Sequence, residues 1–389
     1  MIHTDATKAP PAVPIPMVDL ETQYLRIKGE IDEAIEDVLA STRFIKGPVV
    51  AAFEEELATH LGGNHALGVA NGTDALQVAL MALGVGPGDE VITPAFSFVA
   101  AAEMVALLGA QPIFAEIDAE TFNISVEHAA SLVTNRTAAI IPVHLYGQAA
   151  DMDGIMQLAE RHGIPVIEDA AQAVGSRHRE RPVGYIGRIG TLSFFPSKNL
   201  GCYGDGGAVL TNDPAVHRRM AELANHGARQ KYRNEQVGLN SRLDAIQAAI
   251  LRVKLRYLDT FTDARQAAAQ RYDQLFAGMP EIVAPVIADD ATHVFHQYTI
   301  RLRGRDAETR DALATFLKTR EIATAVYYPA PLYHFEAYRD GLRGTDRLVE
   351  TERACQEVIS LPMHTELREE QQIRIVDEIA AFLGEYRNG

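Results

Sequence analysis

Short apolar runs alternate with amphipathic stretches from Met17 to about Tyr257. Residues 90–93, 112–117, 138–144, 164–168, 190–195 and 208–211 are apolar runs of strand length bounded by turn formers. Between them, 74–83, 97–108 and 154–162 repeat their apolar positions at helical spacing. Gly84-Val85-Gly86-Pro87-Gly88 and Arg161-His162-Gly163 supply the breaks. Apolar strands separated by helices predict an α/β domain, its mostly parallel sheet covered by helices on both faces. Residues 244–262 read as one long helix leading toward a second unit. Beyond it the signals come in smaller units, at 296–303, 307–318, 324–328 and 369–382, the pattern of an α+β domain. Pro10, Pro11, Pro14 and Pro16 stiffen an N-terminal stretch without such periodicity. The predicted organisation is a flexible arm at 1–16, a large domain at 17–257 and a smaller C-terminal domain at 258–389.

Composition narrows the class of partner. The chain has 389 residues and a formal charge of −16, from 52 acidic against 36 basic side chains. That balance argues against nucleic acid or an anionic membrane as the main partner, and leaves room for an anionic small ligand in a local pocket. Cys202 and Cys355 are the two cysteines, too few for a disulfide framework. The proline-rich start has no apolar core of a signal peptide, and no run approaches the roughly 18 apolar residues of a membrane span. A cytoplasmic protein is expected.

Candidate chemistry begins at Ile164-Pro165-Val166-Ile167-Glu168-Asp169, an apolar strand ending in two carboxylates. Strand ends of this kind form the ligand-binding edge of α/β sheets, although such acids alone are more often caps or loop solvators. A second strand runs into Ser193-Phe194-Phe195-Pro196-Ser197-Lys198-Asn199, followed by glycine-rich 201–207. A lysine among small residues has room for a bulky cofactor; taken by itself it reads equally as a solvated surface lysine. Lysine plus acid is what pyridoxal chemistry requires, an amine for the covalent link and a carboxylate to keep a pyridine nitrogen protonated. Val69–Leu76 reads as strand, tight turn and helix start, with Gly72 and Thr73 at the helix N-terminus. This is a phosphate cradle or a plain N-cap, with Asp74 expected to turn away from the anion, as a capping group. No GxGxxG, Walker A, HExxH or paired CxxC pattern competes, and the histidines lack metal-ligand spacing.

In order along the chain, NGTDAL (71–76), GDEVITP (88–94), VIEDAAQAVG (166–175), SFFPSKNLGCYGDGG (193–207) and GLNSRLDAIQAAIL (238–251) resemble the DegT-type sugar aminotransferases. The resemblance covers about Met17 to Pro362. It implies a fold-type-I transferase dependent on pyridoxal 5′-phosphate (PLP). By the same resemblance Lys198 is the Schiff-base lysine and Asp169 the partner of the pyridine nitrogen. Gln172 lies beside the ring hydroxyl, and Gly72, Thr73 and Ser193 hold the phosphate. Phe98 stacks on the ring. Asn240 reaches the phosphate of the neighbouring subunit, which implies a homodimer with shared active sites. The bland alternatives are a core side chain for Phe98, a buried strand hydroxyl for Ser193, a helix-surface amide for Gln172 and an N-cap for Asn240. Relatives with histidine at the lysine position act as dehydratases; lysine here implies transamination.

The implied reaction moves an amino group from an amino acid, L-glutamate in the first instance, to a nucleotide-linked keto sugar. PVHLYGQ (142–148), KNLGCYGDGG (198–207) and NSRLD (240–244) resemble the branch acting at C3. Its substrates include UDP-2-acetamido-3-keto-glucuronate and dTDP-linked 3-keto-6-deoxyhexoses; a 4-keto sugar nucleotide is the alternative. Arg242 suits a uronate carboxylate or, equally, an interface salt bridge. Tyr327, Tyr328 and His334, in VYYPAPLYH, resemble the substrate-side segment, although Tyr-His-Phe stands where many relatives have Leu-His-Leu. Two other classes remain. A PLP-dependent lyase or desulfurase shares the lysine and the acid, but Cys202 sits in a glycine turn and reads as structural. A non-enzymatic PLP-binding sensor lacks support from any basic patch.

Overall fold

The computed structural model describes residues 13–230, 232–341 and 348–386. Seven strands form the central sheet, in the spatial order His65–Val69, Gly207–Thr211, Ile189–Ser193, Ile167–Asp169, Thr137–Ile140, Glu90–Pro94 and Gln111–Ala115. Two ladders join through parallel bridges at Ile140–Val166 and Val143–Asp169. Gly207–Thr211 runs antiparallel to both neighbours, and the remaining pairings are parallel. The prediction of a mostly parallel sheet holds.

Alternation along each strand explains the two covered faces. Val91 and Val209 pack under the helices Gly72–Leu83, Ala100–Leu107 and Pro214–Leu223. Their neighbours Ile92, Ala208 and Leu210 point the other way. There they meet the helices Pro48–His60, Met152–His162 and Ala245–Leu255.

The helix expected over 244–262 is two helices, Ala245–Leu255 and Leu258–Phe276. Between them the N–H groups of Arg256 and Tyr257 bond the carbonyls of Val253 and Lys254, at 3.2 and 3.0 Å, in tight i→i+3 turns. The stretch holds neither Gly nor Pro, so periodicity runs through the break unmarked. The second helix packs on the C-terminal sheet, Ile282–Val283, Tyr298–Leu302 and Val358–Leu361, all antiparallel. Ala307–Thr319 and Glu369–Tyr386 complete that layer. The strand signal at 324–328 yields a single bridge, Ala325 to Ser360.

The arm needs correction at its inner end. Residues 1–12 lie outside the described residues, but Ile15 is 2% exposed and bridges Ile322 in parallel. Its N–H donates to the Glu321 carbonyl at 2.8 Å, and its carbonyl accepts from Ala323 at 3.0 Å. An isoleucine between prolines carries too short a pattern to register as a strand, yet burial in the small-domain core holds it. Ile15→Ala should therefore lower stability by about 2–5 kcal/mol, read from urea unfolding. A variant as stable as the parent would show that this end is not held.

Candidate active site

The carboxyl ends of the parallel strands open into a cavity of about 700 Å³. Gly72, Thr73, Phe98, Asp169, Gln172, Ser193 and Lys198 all line it, as do Tyr327 and Tyr328. Met17, Leu361 and Met363 close it from the side of the small domain.

The turn after strand His65–Val69 presses against the sheet. A Cβ on Gly72 would stand 2.7 Å from the Ser193 Cβ, and one on Gly207 would stand 2.4 Å from the Asn71 carbonyl oxygen. Only glycine lets these segments approach. Asn71 caps the helix, its Oδ1 accepting from the Asp74 N–H at 2.8 Å. Gly72 and Thr73 open that helix, where backbone N–H groups lack intrahelical acceptors. The cap and the cradle are thus built from different residues of one turn. Asp74 is not the cap expected for it; its side chain lies along the cavity, as does that of Asp205.

Glu168 and Asp169 divide by strand alternation. The buried Glu168 carboxylate accepts from the N–H groups of Gly184, Ile186 and Gly187 at 2.8, 2.7 and 2.6 Å. His144 accepts at Nδ1 from Ala150 N–H, at 3.0 Å, so Nε2 carries the proton that meets Glu168 Oε2 at 3.1 Å. Glu168 is a structural anchor. Asp169, 7% exposed, faces the cavity and accepts from Ala171 N–H at 3.1 Å. Burial raises its carboxyl pKa; the Ala171 N–H and the charge of Lys198 work against that rise. Burial likewise lowers the Lys198 amine to about 8, with Asp169 opposing the shift.

Gln172 is no helix-surface amide. It lies in a turn, accepting from Tyr146 N–H at 2.7 Å and donating to the Tyr328 hydroxyl at 3.2 Å. Phe98 is 56% exposed, a ring held at the cavity instead of in the core. Phe195 and His296 also line the cavity, and sequence reasoning had not singled them out. Phe195 sat within the lysine motif, so its signal was present. His296 lies 98 residues from Lys198 and had no local signal.

Three expected residues lie elsewhere. Asn240 is exposed and Arg242 half-buried, and neither lines this chain's cavity. Ser241 between them is buried, its Oγ accepting from Ala70 N–H at 3.1 Å behind the Gly72 turn. His334 does not join the site. The short 3₁₀ turn Leu332–His334 buries Leu332 and Tyr333, leaving the His334 ring outward against Tyr333 at 4.9 Å.

An anion seat at a helix N-terminus, a planar side chain, a buried acid and a buried amine suit PLP. Among the described residues no group of His, Cys, Asp or Glu is placed to hold a metal ion. None of the described helices is long and apolar enough to cross a membrane.

The pattern of the DegT/DnrJ/EryC1/StrS aminotransferase family matches residues 25–380. A Geobacillus stearothermophilus protein named pleiotropic regulatory protein is 47% identical over 95% of this chain and 98% of its own. The UDP-2-acetamido-2-deoxy-3-oxo-D-glucuronate aminotransferase of Pseudomonas aeruginosa is 45% identical, over 90% of this chain and 95% of its own. Among solved structures, S. venezuelae DesV in complex with a ketimine intermediate superposes with a TM-score of 0.91. It is 41% identical, over 95% of this chain and 98% of that one.

The two adjacent carboxylates should separate by mutation. Glu168→Ala strands three N–H groups and a histidine, so unfolding should become easier by about 3–5 kcal/mol. Asp169 acts with the opposite sign. Its raised folded-state pKa makes the cofactor-free chain lose stability as pH rises from the ordinary carboxylate range through that pKa. Cofactor-free Asp169→Asn should match or exceed the parent's stability at neutral pH and lack that decline. Urea unfolding across acidic to neutral pH checks both, and equal losses in the two variants would contradict the division.

Proposed function

The chain belongs to the DegT/DnrJ/EryC1/StrS aminotransferase family of PLP-dependent enzymes, and we propose that it moves an amino group from L-glutamate to C3 of a nucleotide-linked keto sugar. The observation that carries the reading is the Lys198 amine and the Asp169 carboxyl buried in one cavity at the sheet's carboxyl edge. Bound PLP supplies an electron sink that stabilises negative charge at the substrate carbon.

Lys198 Nζ would hold the cofactor covalently at rest and would afterwards carry the proton to and from the substrate carbon. An amine lowered to about 8 by burial has both its neutral and its protonated form within reach near physiological pH, the first for forming the link and taking a proton, the second for returning it. Asp169 holds the proton on the pyridine nitrogen. Gly72 and Thr73 offer backbone N–H groups, and Ser193 a hydroxyl, to the phosphate. Phe98 and Gln172 line the cavity, where Phe98 would cover one ring face and Gln172 would lie beside the ring hydroxyl. Tyr327 and Tyr328 line the same cavity and would meet the sugar.

The position of amination rests on the NSRLD and KNLGCYGDGG segments and on the similarity to a 3-oxo-glucuronate enzyme. Asn240 is exposed and Arg242 half-buried on either side of buried Ser241, and neither lines this chain's cavity, which suits delivery into a partner's site. In that arrangement Asn240 donates its amide to the phosphate, and Arg242 faces the sugar's C5 substituent. An acidic cytoplasmic homodimer is the assembly this reading implies.

Glutamate alone should convert the bound cofactor from its aldehyde to its amine form, seen by absorbance. A 3-keto sugar nucleotide should then reverse the change. Borohydride reduction should place the pyridoxyl group on the Lys198 peptide. Faster reversal with a 4-keto sugar would move the enzyme to another branch, and an aldehyde form inert to glutamate would indicate a sensor.

Shared sites predict complementation. Lys198→Ala and Asn240→Asp, each strongly impaired alone, should regain activity on mixing, because one site of the hybrid carries both lesions and the other neither. No recovery in hybrids confirmed by native mass spectrometry would mean that the loop serves its own chain.

A further inference from the structure

His296 reaches the cavity from the strand side of the small domain. Its Nε2 lies 3.5 Å from Lys198 Nζ, and the residue is 8% exposed. Its Nδ1 is buried without a hydrogen-bond partner.

The backbone around His296 is held from three sides. Arg265 Nη1, on the helix Leu258–Phe276, donates to the carbonyls of Phe295, His296 and Met363 at 2.9, 3.3 and 3.1 Å. Gly147 backs directly onto the segment, where a Cβ would stand 3.0 Å from the N atoms of Phe295 and His296. Asn199, next to the lysine, donates through Nδ2 to the Val294 carbonyl at 2.8 Å. The lysine loop and the histidine segment are thereby locked together.

We propose that His296 is a second anchor for the Lys198 amine: its neutral imidazole accepts an N–H from Nζ and holds the freed amine beside the reacting carbon. The imidazole is held neutral by burial and by the cations facing it, Lys198 from the loop and Arg265 from the helix, which push its pKa well below the usual value. Asp169 faces the lysine and opposes the fall in the amine's own pKa. In this assignment His296 acts as an acceptor, which requires the tautomeric proton on Nδ1 and the free pair on Nε2. Proton movement at substrate stays with Lys198.

Full-length enzyme carrying the amine form of the cofactor leaves Lys198 free for the test. The pH dependence of its acetylation by acetic anhydride, read by peptide mass, reports the amine's ionisation. Losing the acceptor in His296→Phe should lower the midpoint by roughly 0.5–1 unit, because the ammonium form loses a hydrogen bond. His296→Gln, which keeps an acceptor oxygen, should restore much of that shift. An unchanged or raised midpoint in His296→Phe would overturn the proposal. Wild-type protein gives an independent measurement through histidine side-chain 15N NMR. An unprotonated Nε2 whose shift changes in Lys198→Met is expected; a protonated Nε2 would also overturn the assignment. Both readouts are independent of the sugar, so failure of the 3-keto assignment leaves them interpretable.

Discussion

An amine and a carboxyl group are buried at one cavity, and the rest of the molecule is arranged around that burial. Each group loses hydration, which pushes Lys198 down to about 8 and raises Asp169, while their mutual attraction offsets part of both shifts. Neither shift could be sustained on an open loop, where water restores the ordinary values. The sheet edge provides the enclosure. Parallel strands bring their carboxyl ends to one side, and the small domain closes that side with Leu361 and Met363.

Holding such groups still requires anchors that do no chemistry themselves. Glu168 gathers the 184–187 backbone and His144 behind the sheet, so the strand that ends in Asp169 cannot shift. Buried Lys254 donates to the Gly201 carbonyl at 2.7 Å, steadying the glycine loop that follows Lys198. Cys202 lies in the same loop, its thiol pKa raised to about 11 by burial, which fits a packing role and not a nucleophile. Gln172 and Tyr328 tie the strand-end turn to the 327–328 segment. Each contact trades conformational freedom for a fixed distance across the cavity.

Much of the site was readable from local sequence because its parts are local motifs. Gly72 and Thr73 follow a strand and open a helix, Asp169 ends an apolar run, and Lys198 stands before a glycine-rich turn. Their joining needed only the sheet edge, which alternating apolar runs already implied. Asp74 was misread because the sequence offers Asn71 and Asp74 alike as caps, and the cap went to Asn71. That His334 lies outside this chain's cavity was not legible, because aromatic spacing cannot tell which side of a 3₁₀ turn faces in. The break at Arg256–Tyr257 was invisible because apolar positions continue across it.

The sequence by itself determined the fold class and the order of the elements and pointed to the chemistry of the site, because period, turn residues and reactive groups are properties of short segments. Only the tertiary structure decided what the neighbouring Glu168 is for, where Ile15 is held, and that His296 meets Lys198 from 98 residues away. The physical reason is that burial and opposing charge depend on what packs against a group. Those neighbours are brought together by folding, across distances that no local pattern records.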